Sequence, residues 1–179
     1  MSRILVLSGS PRKNGNTDRL AASFAKGAAE MNHVVETVSV SDYTVNACTG
    51  CNSCFTREGN QCFQTDDMPR IYRKFSEADV VIIASPVYFY GISAQLKALV
   101  DRLHTPMRNS FHVKKLGLIL VGAATLPELF DSIIMQYRLI LNFFHLEDAG
   151  MVLIRGAREK GDVKEDDLKN AYLLGRSIR

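Results

Sequence analysis

"ILVLSGSPRKNGNT", residues 4–17, runs from four aliphatic residues straight into a loop of small and polar ones. An apolar run without alternation suits a strand covered on both faces, as in parallel sheets. The residues that follow, "TDRLAASFAKGAAEM", place Leu20, Phe24, Ala28 and Met31 at three- and four-residue spacing. That is one apolar face of a helix, with Asn16 or Thr17 at its start. The first unit of the chain is therefore strand, polar loop, helix.

The unit repeats. "VVETVSV" (34–40), "VVIIAS" (80–85), "LGLILVG" (116–122) and "MVLIR" (151–155) bring the candidate strands to five, and the polar residues within 34–40 suit a sheet edge. Helical patterns fit 67–77, 93–103, 127–145 and 164–178. This β-α-β-α order predicts an open, doubly wound α/β sheet with right-handed crossovers. Residues 1–179 read as a single domain, with one long irregular stretch at about 41–66. In such a fold ligands bind outside the carboxyl ends of the strands, which directs attention to the loops starting near 8, 85 and 122.

The chain has 179 residues, 46% of them hydrophobic, enough to bury one full core. Its 22 basic side chains against 19 acidic ones leave a net charge of +3, too small and too scattered to suggest a nucleic-acid partner or an anionic membrane surface. The apolar run at Ile4–Leu7 is far too short for a signal-peptide core, and no stretch approaches the roughly 20 apolar residues of a membrane span. A cytoplasmic protein is expected.

The loop after the first strand gathers Ser8, Ser10, Arg12, Asn14, Asn16 and Thr17 with Gly9 and Gly15 just before a helix. Hydroxyls and free N–H groups at a helix N-terminus suit a phosphate dianion. Neither a G-x-G-x-x-G fingerprint nor a Walker A lysine is present. The loop after the third strand crowds Pro86, Val87, Tyr88, Phe89 and Tyr90 before Gly91. It could cover one face of a flat ring system, with the glycine permitting a tight turn or a close approach.

All four cysteines, Cys48, Cys51, Cys54 and Cys62, lie in "CTGCNSCFTREGNQC" within the irregular stretch. In a reducing compartment such a cluster reads as metal ligands or redox-active thiols before structural disulfides. The first three, with Gly50 relaxing the backbone, could converge on three irons of a 4Fe-4S cubane, and Cys62 could return as the fourth ligand; the short step to a Cys-Pro of ferredoxins is missing. Free thiols, zinc and a disulfide stay open.

"GSPRKNGNT" followed by "ASPVYFYGISAQLKALVDR" resembles the flavodoxin-like NADPH-dependent FMN reductase superfamily, and with the cysteine loop its iron-sulfur flavoprotein branch. The resemblance covers about residues 3–122. It implies a five-stranded parallel sheet of order 2-1-3-4-5 with helices on both faces. It further implies an FMN whose phosphate rests on Ser8, Ser10, Arg12, Asn16 and Thr17, and whose isoalloxazine lies against Pro86, Val87, Tyr88, Phe89 and Gly91. Gly122 and Ala123 match the third flavin-side loop.

A flavin carries its own chemistry, so no catalytic triad is required. His33, His104, His112 and His145 are scattered and read as surface or packing residues. The expected reaction moves electrons from NADPH or NADH through FMN to a quinone, a flavin, or an iron-sulfur or protein acceptor. A non-enzymatic electron carrier and a thiol or metal sensor are the alternatives; the pI of about 8.7 speaks against an acidic carrier. Arg102, Arg108 and Lys114 are candidates for a nucleotide phosphate only in being basic. In the 126–146 segment Leu126, Met135, Leu139 and Phe143 fall outside the face that one sheet contact requires, so a homodimer or higher homo-oligomer is expected.

Overall fold

A computed structural model describes residues 1–179. Five parallel strands, β1 (Arg3–Ser8), β2 (Val34–Ser39), β3 (Val80–Pro86), β4 (Lys115–Val121) and β5 (Glu147–Ile154), form one sheet in the order β2-β1-β3-β4-β5. Because all five run the same way, the loops that leave β1, β3 and β4 share one edge, and the strand order reverses beside β1.

The continuous apolar runs divide by parity between two cores. Leu5, Leu7, Val81, Ile83, Leu116, Leu118 and Leu120 face helices α3 (Met68–Glu77), α4 (Ala94–Asp101) and α5 (Asp131–Phe144). Ile4, Val6, Ile82, Ile119 and Val152 face α1 (Asn16–Glu30) and α6 (Glu165–Ser177). On that second side α1 and α6 approach through glycines: a Cβ at Gly27 would run into the carbonyl of Tyr172, and one at Gly175 into the carbonyl of Phe24. The remaining helix, α2 (Ser53–Thr56), is a single turn within the cysteine loop.

Two elements depart from expectation. The segment 127–145 is not one helix: Pro127–Phe130 forms a tighter turn, and α5 begins only at Asp131. Strand β5 starts at Glu147 and not at 151, its polar opening turned to use, because Asp148 accepts the Tyr137 hydroxyl at 2.7 Å. The four apolar residues expected to lack cover on the 126–146 segment, Leu126, Met135, Leu139 and Phe143, are all exposed, while Leu129, Ile133 and Tyr137 are buried. No helix is long and apolar enough to cross a membrane.

Candidate functional site

The loop after β1 is pinned before it reaches α1. Gly9 N–H donates to Ala84 O at 2.8 Å, Ser8 donates its hydroxyl to Asp18 at 2.6 Å, and Ser10 Oγ accepts from Arg12 N–H at 3.2 Å. Helix α1 then opens at Gly15 with no side-chain cap. Its first-turn N–H groups are thus left for an anion, with the helix dipole favouring negative charge there.

The aromatic loop is held as firmly. Val87 N–H reaches Val121 O at 2.8 Å, Ser93 N–H reaches Ser85 Oγ at 3.1 Å, and Ser93 Oγ caps α4 by accepting from Leu96 N–H. Tyr88 and Gly91 exchange two backbone bonds across a two-residue turn. The left-handed positions of that turn are Phe89 (φ 47°) and Tyr90 (φ 63°), not Gly91. Bulky residues rarely adopt this conformation, and it costs of order 1–3 kcal/mol each.

Ser10, Arg12, Asn16, Thr17, Pro86, Val87, Tyr88 and Ala123 meet around one cleft of about 190 Å³. Four of the expected residues stand outside this lining. Ser8 is buried beneath the loop, Phe89 is 99% exposed at the turn tip, Gly91 closes the turn, and Gly122 ties β4 to Ile154 O. Asn16 lines the cleft, yet its side chain is spent on the backbone of Glu159 and Gly161, at 2.8 and 2.9 Å. Those bonds bring in two cations that the motifs did not reveal, Arg158 and Lys160, which join the cleft from the loop after β5. The mixture of an uncapped helix end, three cations and a Pro-Val-Tyr wall fits a phosphorylated, flat-ringed cofactor such as FMN.

The cysteine loop leaves β2 at the same sheet edge. Its stem is clamped: Asp67 and Thr44 exchange bonds, and Asp66 accepts from Asn46 N–H at 2.9 Å and Met68 N–H at 3.1 Å. Asp66 also pairs with Arg102, whose Nη1 donates to Asn46 O as well. Burial pushes the Asp66 carboxyl up, but these donors, Arg102 first, outweigh it and hold the group below its ordinary value. Arg102 is therefore a buried ion-pair residue and not a free nucleotide anchor.

Between the clamps the chain coils through left-handed residues at Gly50, Asn52, Gly59 and Asn60. All four cysteines are unpaired and line one cavity of about 120 Å³ with Tyr72, Arg102 and His104. His104 faces Phe55 at 5.6 Å between ring centres, a packing role beside the thiols. The Cys51 thiol is lowered to about 7, chiefly by the Ser53 hydroxyl. No three His, Cys, Asp or Glu side chains are arranged to hold a metal ion. Four thiols lining one cavity are the donor type that an iron-sulfur group takes, one thiolate to each iron.

A five-stranded parallel sheet of this order, with an anion cradle and an aromatic wall sharing one strand-end cleft, defines a flavodoxin-like nucleotide-binding protein. The model of the family described as NADPH-dependent FMN reductase matches residues 2–157, and the chain belongs to that family. It is an NAD(P)H-dependent flavin oxidoreductase of the FMN-reductase type. It is 33% identical to an iron-sulfur flavoprotein of Methanocaldococcus jannaschii, covering 98% of this chain and 95% of that one. A second iron-sulfur flavoprotein, from Archaeoglobus fulgidus, is 34% identical over 95% of this chain and 76% of its own. An NAD(P)H:quinone oxidoreductase from Methanothermobacter marburgensis shares the fold, with a TM-score of 0.77 at 16% identity over 98% of each chain.

Proposed function

We propose that this enzyme seats FMN in the strand-end cleft and passes electrons from a nicotinamide nucleotide through it to a quinone, a flavin or an iron-sulfur acceptor. The observation that carries the reading is that the loop before α1 and the loop after β3 line the same cleft. When bound, the flavin supplies the hydride and electron chemistry. The chain supplies position and electrostatics. The uncapped N–H groups of α1, with Ser10, Thr17, Arg12, Arg158 and Lys160, hold the phosphate. Pro86, Val87 and Tyr88 exclude water from one side of the ring. Ser8, Gly91 and Gly122 fix the three loops from behind, and Phe89 offers an exposed ring at the rim.

Anaerobic stopped-flow mixing of the FMN-loaded enzyme with NADPH and with NADH tests this reading. Rapid bleaching of flavin absorbance with at least one nucleotide is expected. No reduction by either would contradict it and favour a carrier or a sensor on the same fold.

A second part of the proposal rests on the cysteine cavity. Cys48, Cys51, Cys54 and Cys62 hold a 4Fe-4S group there, which would supply one-electron transfer; the iron-sulfur names of both archaeal relatives support this. Iron and acid-labile sulfide near four of each per chain are expected after anaerobic purification, and clearly substoichiometric iron contradicts it. A second copy of the chain covers Leu126, Met135, Leu139 and Phe143; a monomer in sedimentation at micromolar concentration would refute that. Four free thiols suit a reducing compartment such as the cytoplasm.

A further inference from the structure

Arg102 follows the last turn of α4, with 3% of its side chain exposed against 0% for its partner Asp66. Its Nη1 serves Asp66 and, at 3.3 Å, the carbonyl of Asn46. Its other terminal nitrogen, Nη2, is buried and has no hydrogen-bond partner. Asp66 accepts from Asn46 N–H, Met68 N–H and Arg102 Nη1, and Nη2 makes no bond to it. An unused cationic donor out of reach of water is costly, and folded chains seldom leave one without a partner.

The surroundings show what that partner can be. Arg102 lines the cavity of the four cysteines and also an adjoining one of about 470 Å³, and Cys62 is the one cysteine that lines both. Tyr72 lines both cavities as well, and its hydroxyl donates to the Arg102 carbonyl at 2.7 Å. Asp101, the acidic neighbour in the cysteine cavity, is paired with Lys97. Sulfur is thus the anionic chemistry left to answer Nη2.

We propose that Arg102 is the buried counter-charge of the cysteine site, a positioning residue whose free Nη2–H donates to sulfur of the group that Cys48, Cys51, Cys54 and Cys62 hold. It thereby raises that group's reduction potential. This inference rests on the iron-sulfur reading above. One-electron reduction, by the flavin in turnover or by dithionite in a titration, adds one negative charge to the sulfur-bound group and breaks no bond. A cation held out of water, with an N–H directed at sulfur, favours the more negative form.

The test is an anaerobic redox titration of the full-length protein, followed by electron paramagnetic resonance, with iron content and flavin potential measured alongside. Arg102→Lys keeps a cation opposite Asp66 but loses the second donor of the fork. The double variant Asp66→Asn with Arg102→Gln removes both buried charges together and leaves neither uncompensated. The double variant is expected to weaken reduction about tenfold, a shift of about 59 mV to lower potential for one electron. Arg102→Lys should shift the same way by less, with iron content and flavin potential unchanged. An unchanged iron-sulfur potential in iron-replete variants overturns the role of Arg102 and leaves the iron-sulfur reading standing. Iron lost from Arg102→Lys shows a purely structural residue and overturns it too, and wild-type protein without iron overturns both readings.

Discussion

Where the chain leaves β1, β3 and β4, bonds to other strands hold it in place: Gly9 to Ala84, Val87 to Val121, and Gly122 to Ile154, each at 2.8 Å. Between Cys48 and Cys62 every bond is local, such as Gly50 N–H to Cys48 Sγ at 3.4 Å and Cys51 Sγ to Ser53 Oγ at 3.3 Å. The loop's hydrogen bonds and ion pairs to the rest of the fold come from the stem, through Asp66, Asp67 and Arg102. The sheet therefore presents the strand-end cleft already formed, whereas the shape of the cysteine loop depends on its stem.

The sharpest way to separate the two regions is to remove a thiol. Replacing Cys48, Cys51, Cys54 or Cys62 singly by serine should abolish stoichiometric iron while FMN binding stays within about twofold, as read by metal analysis and flavin fluorescence. Loss of both together would show that the regions are one cooperative unit.

Next in size is the stem. Asp66→Asn leaves the buried Arg102 charge without its carboxylate, and should cost about 3–5 kcal/mol in denaturant unfolding, with early proteolysis confined to 41–66. The same pair gives a pH signature. Because the folded Asp66 carboxyl lies below its ordinary 3.8, its stabilisation is complete above that value and fades as pH falls beneath it towards the folded pKa. Acid should therefore loosen the stem before the sheet, which amide exchange within 44–67 would show.

At the strand-end cleft, Arg12→Ala is expected to remove the charge-assisted phosphate contact proposed above, worth about 1.5–3 kcal/mol, so FMN affinity should fall about tenfold to a hundredfold with iron retained. Lys160→Ala should act the same way but more weakly, since its Nζ lies 3.5 Å from Lys13 O at the exposed rim. Smallest is the turn tip. Phe89→Asn with Tyr90→Gly suits the two left-handed positions and should stabilise the fold by about 1–2 kcal/mol in thermal unfolding, at some loss of flavin affinity.

What could be read from the sequence follows the same division. Strands β1, β3 and β4 were legible because burial on both faces leaves an uninterrupted apolar run, and the phosphate and aromatic loops because each follows such a run directly. The start of β5 was hidden because Glu147 and Asp148 carry no apolar signal; their strand character comes from pairing with Lys115 and Leu116. Arg158 and Lys160 were missed because tertiary bonds from Asn16 to residues 159 and 161, far along the chain, bring their loop to the cleft. Arg102 read as one more basic residue, and only its burial against Asp66 reveals what it is. The four cysteines announced themselves at once, but spacing alone could not show that all of them line one cavity.

Anaerobic single-turnover mixing of iron-replete wild type and the iron-free Cys62→Ser variant with NADPH or NADH, following the flavin band, tests most directly whether electrons enter at the flavin. The flavin is expected to bleach at the same rate in both, with iron-sulfur reduction following it in the wild type alone. Flavin reduction that disappears with the iron, or that occurs in neither protein, would contradict entry at the flavin.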